Sequence, residues 1–289
     1  VHAAVSFLGK LYVIGGEGSS PILPYGARKI VYSSFNGSTW TREPDFPVAI
    51  SMGEAIVFKN KIFVVGGGTP NVYSSTDGKN WIQESTLSKS LTEHSLAVSA
   101  DGSTIFVIGG TTGAGTIGLS DSVFISNDGI NWTEHHSLPR TVNGFSKVQN
   151  HSSVTYDGKI WIYGGQLPNG TIYSSTDGIT WQEYINAIPP SVLADDYPEQ
   201  PPSNASALVL NNKVYIVGGR RGGPQGLREI LEYPNTITCV SSSSSGSTSG
   251  STSGSCIPNT ITEFFISSNS KPNDITTGLD GNLWFTDNS

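Results

Sequence analysis

The sequence predicts an all-β fold, a β-propeller of four-stranded antiparallel blades, on three observations. A short apolar phrase closed by two glycines returns five times: "KLYVIGG" (10–16), "KIFVVGG" (61–67), "TIFVIGG" (104–110), "KIWIYGG" (159–165) and "KVYIVGG" (213–219). Successive diglycines stand 51, 43, 55 and 54 residues apart, and self-similarity at such a period marks a repeat array. A second phrase follows at a variable distance: "IVYSSFNGSTW" (30–40), "NVYSSTDGKNW" (71–81), "VFISNDGINW" (123–132) and "TIYSSTDGITW" (171–181). Tight-turn residues precede the first phrase and interrupt the second, so each unit reads as four short strands in succession.

Strand a is a weakly alternating stretch such as "HAAVSF" or "HSSVTY", and a short turn (Leu-Gly-Lys, Asn-Lys, Asp-Gly or Asn-Asn) leads into strand b. Strand b is the diglycine phrase. Four apolar residues in a row, with an aromatic in second place (Tyr12, Phe63, Phe106, Trp161, Tyr215), fit a strand buried on both faces. The paired glycines permit conformations and close approaches that a Cβ would block. Strand c carries "VYSS", and Asp-Gly at 77–78, 128–129 and 177–178, with Asn36-Gly37, turns the chain back. Such pairs suit a type I′ hairpin, which needs positive φ twice. Strand d brings Trp40, Trp81, Trp132 and Trp181, large enough to fill the wedge between neighbouring sheets. The fifth unit departs from this pattern: its strands c and d are expected at "LREILEY" and "TITCV", with Pro234-Asn235 at the turn and no Trp.

A diglycine after an apolar strand, followed by a Trp at the end of the blade, resembles the kelch repeat over about residues 1–240. The "YSSTDG..W" variant is similar to the kelch-like (galactose-oxidase-type) propellers of bacterial surface and secreted proteins. It also resembles the Asp-box of sialidases, but there Gly does not follow Asp directly, so a hairpin turn is expected. Kelch-like propellers usually have six or seven blades. With five legible, the resemblance implies a gap or a strained ring between the first and fifth units, unless residues 257–289 fill it. Residues 241–256 begin with "SSSSSGSTSGSTSGS", a flexible linker. Beyond it, "PNDITTG" and "DGNLWFTD" (280–287) resemble one repeat of the streptogramin (virginiamycin B) lyase propellers, so 257–289 is read as the truncated start of a second propeller. The alternative is a hairpin docked on the open side of the first. "PNTIT" stands at both 234–238 and 258–262, a local duplication.

Sixteen Lys and Arg against 23 Asp and Glu leave a net charge of -7. That deficit argues against nucleic acid, which is bound mainly through Lys and Arg, and against an anionic membrane surface. No apolar run approaches the roughly 20 residues that span a bilayer. Low charge with abundant Ser, Thr, Gly and Asn points to an extracellular or cell-surface location; targeting information is missing, the chain opening on Val1 as a fragment or processed chain. Cys239 and Cys256 allow one bridge around the linker or two free thiols. Sequons at Asn36, Asn131, Asn150, Asn169 and Asn204 matter only in a glycosylating host.

In a propeller the a–b and c–d turns share one face, and the b–c and d–a loops share the other. The second set holds the long segments 17–29, 111–121, 135–150, 184–204 and 220–227, so binding is expected there. Arg220, Arg221 and Arg228 gather in a chain poor in Arg, and planar guanidinium groups suit carboxylates of an acidic sugar or peptide. Asp195, Asp196 and Glu199 form an acidic stretch that pairs with those arginines, binds calcium, or is simply solvated. His2, His94 and His151 share the start of strand a; zinc is one use of them, and repetition of a structural residue is the other. Otherwise no cofactor is expected. His135 and His136 beside Glu134 read as solvated loop. Galactose oxidases imply copper and a Cys–Tyr crosslink, for which no cysteine lies in an ordinary blade, and no motif claims membership among the sialic acid mutarotases. The reading is a binding module for glycan or protein. Its alternatives are a carbohydrate- or lactone-acting enzyme at the channel mouth and a structural spacer.

Overall fold

The structure is a computed structural model. It describes residues 2–20, 23–112, 118–139, 148–165, 171–184, 187 and 205–217, and the backbone of strands at 229–233, 237–240, 255–258, 262–265, 272–277 and 283–287. Every described element is a strand, and the sheets are antiparallel, as the sequence predicts.

The first unit runs β1 (Ala3–Phe7), β2 (Lys10–Ile14), a projecting hairpin of β3 (Glu17–Ser20) and β4 (Leu23–Ala27), then β5 (Val31–Ser34) and β6 (Thr41–Arg42). The second has β7 (Gly53–Phe58), β8 (Lys61–Gly66), β9 (Asn71–Ser75) and β10 (Ile82–Thr86). The third has β11 (Ser95–Val98), β12 (Ile105–Ile108), β13 (Ser122–Ser126) and β14 (Thr133–His136). The fourth has β15 (His151–Tyr156), β16 (Lys159–Gly164), β17 (Ile172–Ser175) and β18 (Gln182–Tyr184). The fifth opens with β19 (Ser206–Leu210), β20 (Lys213–Val217) and β21 (Glu229–Tyr233). After it come β22 (Ile237–Val240), β23 (Ser255–Pro258), β24 (Thr262–Phe265), β25 (Pro272–Thr277) and β26 (Leu283–Asp287).

Five four-stranded sheets result, and their apolar cores lie between them. One core joins Ile14 and Phe46 of the first blade to Ile62, Val64 and Tyr73 of the second. Equivalent cores join the second to the third, the third to the fourth and the fourth to the fifth. Strand b supplies both sides in turn: Phe63 and Val65 face forward, Ile62 and Val64 face back. That is why its sequence is apolar without alternation.

The turns correct one expectation. Paired positive φ occurs at the a–b hairpins, at Leu8-Gly9, Lys59-Asn60, Asp157-Gly158 and Asn211-Asn212. At the c–d turns only the glycine is left-handed, because residues 76–81 are too many for a two-residue turn and side chains close it instead. Ser75 Oγ accepts the Gly78 N–H at 2.8 Å, and Asp77 Oδ1 accepts those of Lys79 and Asn80 at 2.8 Å each. The same bonds recur around Asp128 and Asp177. Glycine is required there for contact as well as conformation. A Cβ on Gly78 would stand 2.2 Å from the Tyr12 ring of the preceding blade, and one on Gly129 would stand 2.3 Å from Phe63.

The fifth blade corrects another. Its strand c is β21, as read, but its outer strand is β24, with Glu229 opposite Phe265 and Glu232 opposite Thr262. The segment "TITCV" instead enters β22, which pairs with β23 across the Ser/Gly/Thr tract and sets Cys239 opposite Cys256. Both copies of "PNTIT" lead toward strands, and the one continued by the aromatic pair "EFF" takes the blade edge, as aromatic strand propensity favours. β25 pairs with β26 and lies against both β19 and β1. The inner strands therefore follow one another around the centre as β1, β7, β11, β15, β19 and β25.

Candidate functional site

Strand a of every blade lines a central cavity of about 270 Å³, polar through Ser6, Ser95, Ser152, Ser153 and Ser206, with Glu54 its charged residue. Two of these hydroxyls hold neighbouring blades together: Ser153 Oγ donates to the Leu96 carbonyl at 3.0 Å, and Ser152 Oγ donates to that of Ala205.

On the long-loop side, the residues just before strand a form a rim. Met52, Glu93 and Asn150 all take left-handed backbone, with φ of 54°, 58° and 54°. Such conformations are uncommon for residues with a Cβ and gather at sites where the surroundings enforce them. Here the enforcement is a relay: the Glu93 N–H points to the Met52 carbonyl at 3.4 Å, and the Asn150 N–H donates to the Glu93 carbonyl at 3.0 Å. Burial pushes the Glu93 carboxyl above the usual carboxylate range, although Asn150 and Thr111 side chains bond to it and oppose the shift. Thr111 Oγ1 is itself 2.8 Å from Thr92 Oγ1. Asn150 Oδ1 is buried and has no hydrogen-bond partner among the described residues. The rim thus sets a carboxyl whose proton affinity burial raises beside an acceptor that a ligand donor can satisfy.

His94 and His151 stand directly after Glu93 and Asn150, with His2 at the matching place in the first blade. They do not converge. A Cβ on Gly66 of the second blade would stand 2.5 Å from His94 Cε1, and one on Gly109 of the third would stand 3.2 Å from His151 Cε1. Each ring therefore packs on the first diglycine residue of the blade before it. Burial lowers His94 to about 4, with the Val65 backbone opposing, and lowers His151 to about 3, helped by His94. Burial likewise lowers His2 to about 4. Ser95 Oγ lies 2.8 Å from His151 Nε2. Among the described residues no three His, Cys, Asp or Glu side chains lie where one metal ion could be held.

Arg220, Arg221, Arg228, Asp195, Asp196 and Glu199 lie outside the described residues, and with them the proposed calcium ligands. Of the remaining long-loop face, the β3–β4 hairpin presents an exposed Tyr25, whose hydroxyl donates to Glu17 Oε2 at 2.8 Å. His135 and His136 belong to β14, so they point to opposite faces. His136 Nδ1 reaches Asp121 Oδ1 at 2.8 Å, while His135 lines a groove of about 730 Å³ on the tight-turn side, between the third and fourth blades. Asp101, Asp128 and Asp177 also line that groove, but all are held by their own turns. The Ser99 hydroxyl and the Ser103 N–H bring Asp101 down to about 2. The Asn131 N–H and side-chain amide hold Asp128 still lower.

The rim was not legible as a site in the sequence. Met52, Glu93 and Asn150 differ in type, and only their shared place before strand a connects them.

A family model, the DUF6242 β-propeller domain, matches residues 1–102 and 94–231. Beta-scruin of Limulus polyphemus is 26% identical over 243 residues, covering 75% of this chain but 25% of that protein. The chain thus spans about a quarter of the length of that relative. A solved structure titled "Structure of YjhT" superposes with a TM-score of 0.64, covering 80% of both chains at 13% identity, a likeness of fold alone. The family match ends before the segment that resembles a streptogramin lyase repeat. With the blades and the inter-blade cores agreeing, the chain belongs to the DUF6242 β-propeller domain family.

Proposed function

We propose that this chain is a binding module for a glycan or protein, working outside the cell or on its surface, through the face of the b–c and d–a loops. One observation carries the reading. Polar side chains that recur along the repeat are committed to the scaffold: the turn aspartates of the second, third and fourth blades bind their own backbone N–H groups, and strand-a serines of the fourth bind the blades on either side. Segments that break the repeat, and so are not needed for it, all fall between strands b and c or between strands d and a. A kelch-like relative in beta-scruin supports an interaction role. In this proposal Arg220 and Arg221 meet a carboxylate of the ligand through paired, charge-assisted hydrogen bonds. The test is a glycan and peptide array with the parent chain and the Arg220→Ala/Arg221→Ala variant. The expected result is a ligand whose binding the variant weakens by about 2–5 kcal/mol. Equal binding by both proteins removes the arginines from the site and this face from the proposal.

The raised carboxyl of Glu93 favours a second reading, an enzyme acting on a carbohydrate or lactone at the channel mouth. A carboxyl that keeps its proton nearer neutrality suits general acid–base work. In that case Glu93→Gln abolishes turnover of a bound sugar and leaves its binding in place.

A further inference from the structure

The first blade leaves uncovered what the next three bury. Tyr32, Tyr73, Phe124 and Tyr173 hold the same register on strand c, opposite Val13, Val64, Val107 and Ile162. Tyr32 is 36% exposed, against 5%, 2% and 6% for the others. Trp40 is 39% exposed, while Trp81, Trp132 and Trp181 are packed against inter-blade cores.

One device does the covering at each of the three interfaces. It is the residue six positions after the strand-d Trp of the preceding blade. Phe46, six after Trp40, meets Tyr73 and Trp81 edge-on, with ring centroids 5.0 and 4.9 Å away. Leu87, six after Trp81, shares a core with Phe124 and Trp132. Leu138, six after Trp132, shares one with Tyr173 and Trp181. The backward face of the first blade has its inner half covered: Leu11 is buried, and β25 lies against β1. Among the described residues, the sheet at this sixth position has two strands, β25 and β26.

We propose that Tyr32 and Trp40 form a docking surface for strands c and d of a further propeller repeat, one carrying a large apolar residue six positions after its own Trp. Its strand c adds to the edge of β26, and its apolar plug seats on Tyr32 and Trp40. A second copy of this chain does not supply that plug, because Phe46, Leu87 and Leu138 are buried in its own interfaces, as is Ala187, six after Trp181. The occupant is a repeat other than those of the five four-stranded blades.

The test compares the 289-residue chain with the same chain extended after Ser289 by a Gly/Ser tether and a second copy of residues 71–91. A tether gives a high effective concentration, so weak docking is still populated. Hydroxyl-radical footprinting reads side-chain exposure, with Tyr173 and Trp181 as internal references. In the unextended chain, Tyr32 and Trp40 oxidise several-fold faster than the references. In the extended chain they slow to the reference rates, and Leu87→Asp in the added copy restores fast oxidation. Slow oxidation of Tyr32 and Trp40 in the unextended chain overturns the proposal; sedimentation then shows whether a second copy covers them. Oxidation that the extension leaves unchanged, or that the Leu87→Asp copy slows equally, overturns it too.

Discussion

Gly66 runs at φ +72°, and a Cβ there would meet both His94 Cε1 and the Leu91 carbonyl, at 2.5 and 2.6 Å. Gly68 has a similar φ of +86° but open space around it. The pair separates conformation from contact. Gly68→Ala is expected to cost about 1 kcal/mol from left-handed backbone alone, whereas Gly66→Ala adds a clash inside an inter-blade core and should cost about 3 kcal/mol or more. Urea unfolding of both variants checks this. The histidine packed there also sets a pH dependence. His94 and His151 fold as neutral groups with values of about 4 and 3, below the ordinary 6.5. Between those limits the unfolded chain binds protons that the folded one refuses, so stability is full above about pH 6.5 and falls as pH drops toward about 4 and then 3. The loss should be on the order of a few kcal/mol for the two together. Aspartates of the c–d turns, held low by hydrogen bonds, lose their contribution only below about pH 4, a window that meets the histidine one only at its acid end. His151→Gln should make the upper window shallower, His94 supplying what remains, and should leave the aspartate contribution in place, as read from urea midpoints against pH. The sequence marks these histidines as a repeated position, yet Glu93 beside them carries no signal and Asn150 shows only as a sequon. Left-handed strain leaves no mark on residue type when Met, Glu and Asn all adopt it.

Strands were the most legible elements, because each of a, b, c and d has its own composition. The diglycine phrase declares a strand buried on both sides, and all five copies are strand b. Turns were legible as places but not as types. Asp-Gly suggests two positive φ angles, but Ser75 and Asp77 side chains take over the hydrogen bonding and leave only Gly78 left-handed. The d–a connection was read as variable loop, yet it carries the plug that joins blades. Phe46 is 1% exposed, between Tyr73 and Trp81. Phe46→Ala should cost about 3–5 kcal/mol, the range for an aromatic removed from a packed core. The same variant should raise acrylamide quenching of Trp81 while leaving Trp132, one interface further on, unchanged. Equal quenching at both would mean that the cores are not the separate units described.

Ring closure was the least legible feature, because it joins residues far apart in sequence and no local pattern records which strand takes a blade edge. The duplicated "PNTIT" left two segments competing for the outer position of the fifth blade, and only pairing decides between them. Closure by β24 and β25 sets the channel against which the Glu93 rim stands, and it leaves Tyr32 and Trp40 at the uncovered outer half of the sixth position. Hydrogen exchange of the intact 289-residue chain measures this directly. If the C-terminal strands complete the ring, amides of 262–265 and 272–277 exchange as slowly as those of 213–217, and all three segments open together as denaturant is added. If residues 262–277 exchange at the rate of an unstructured chain while 3–217 stays protected, the ring is not closed by its own C-terminal strands.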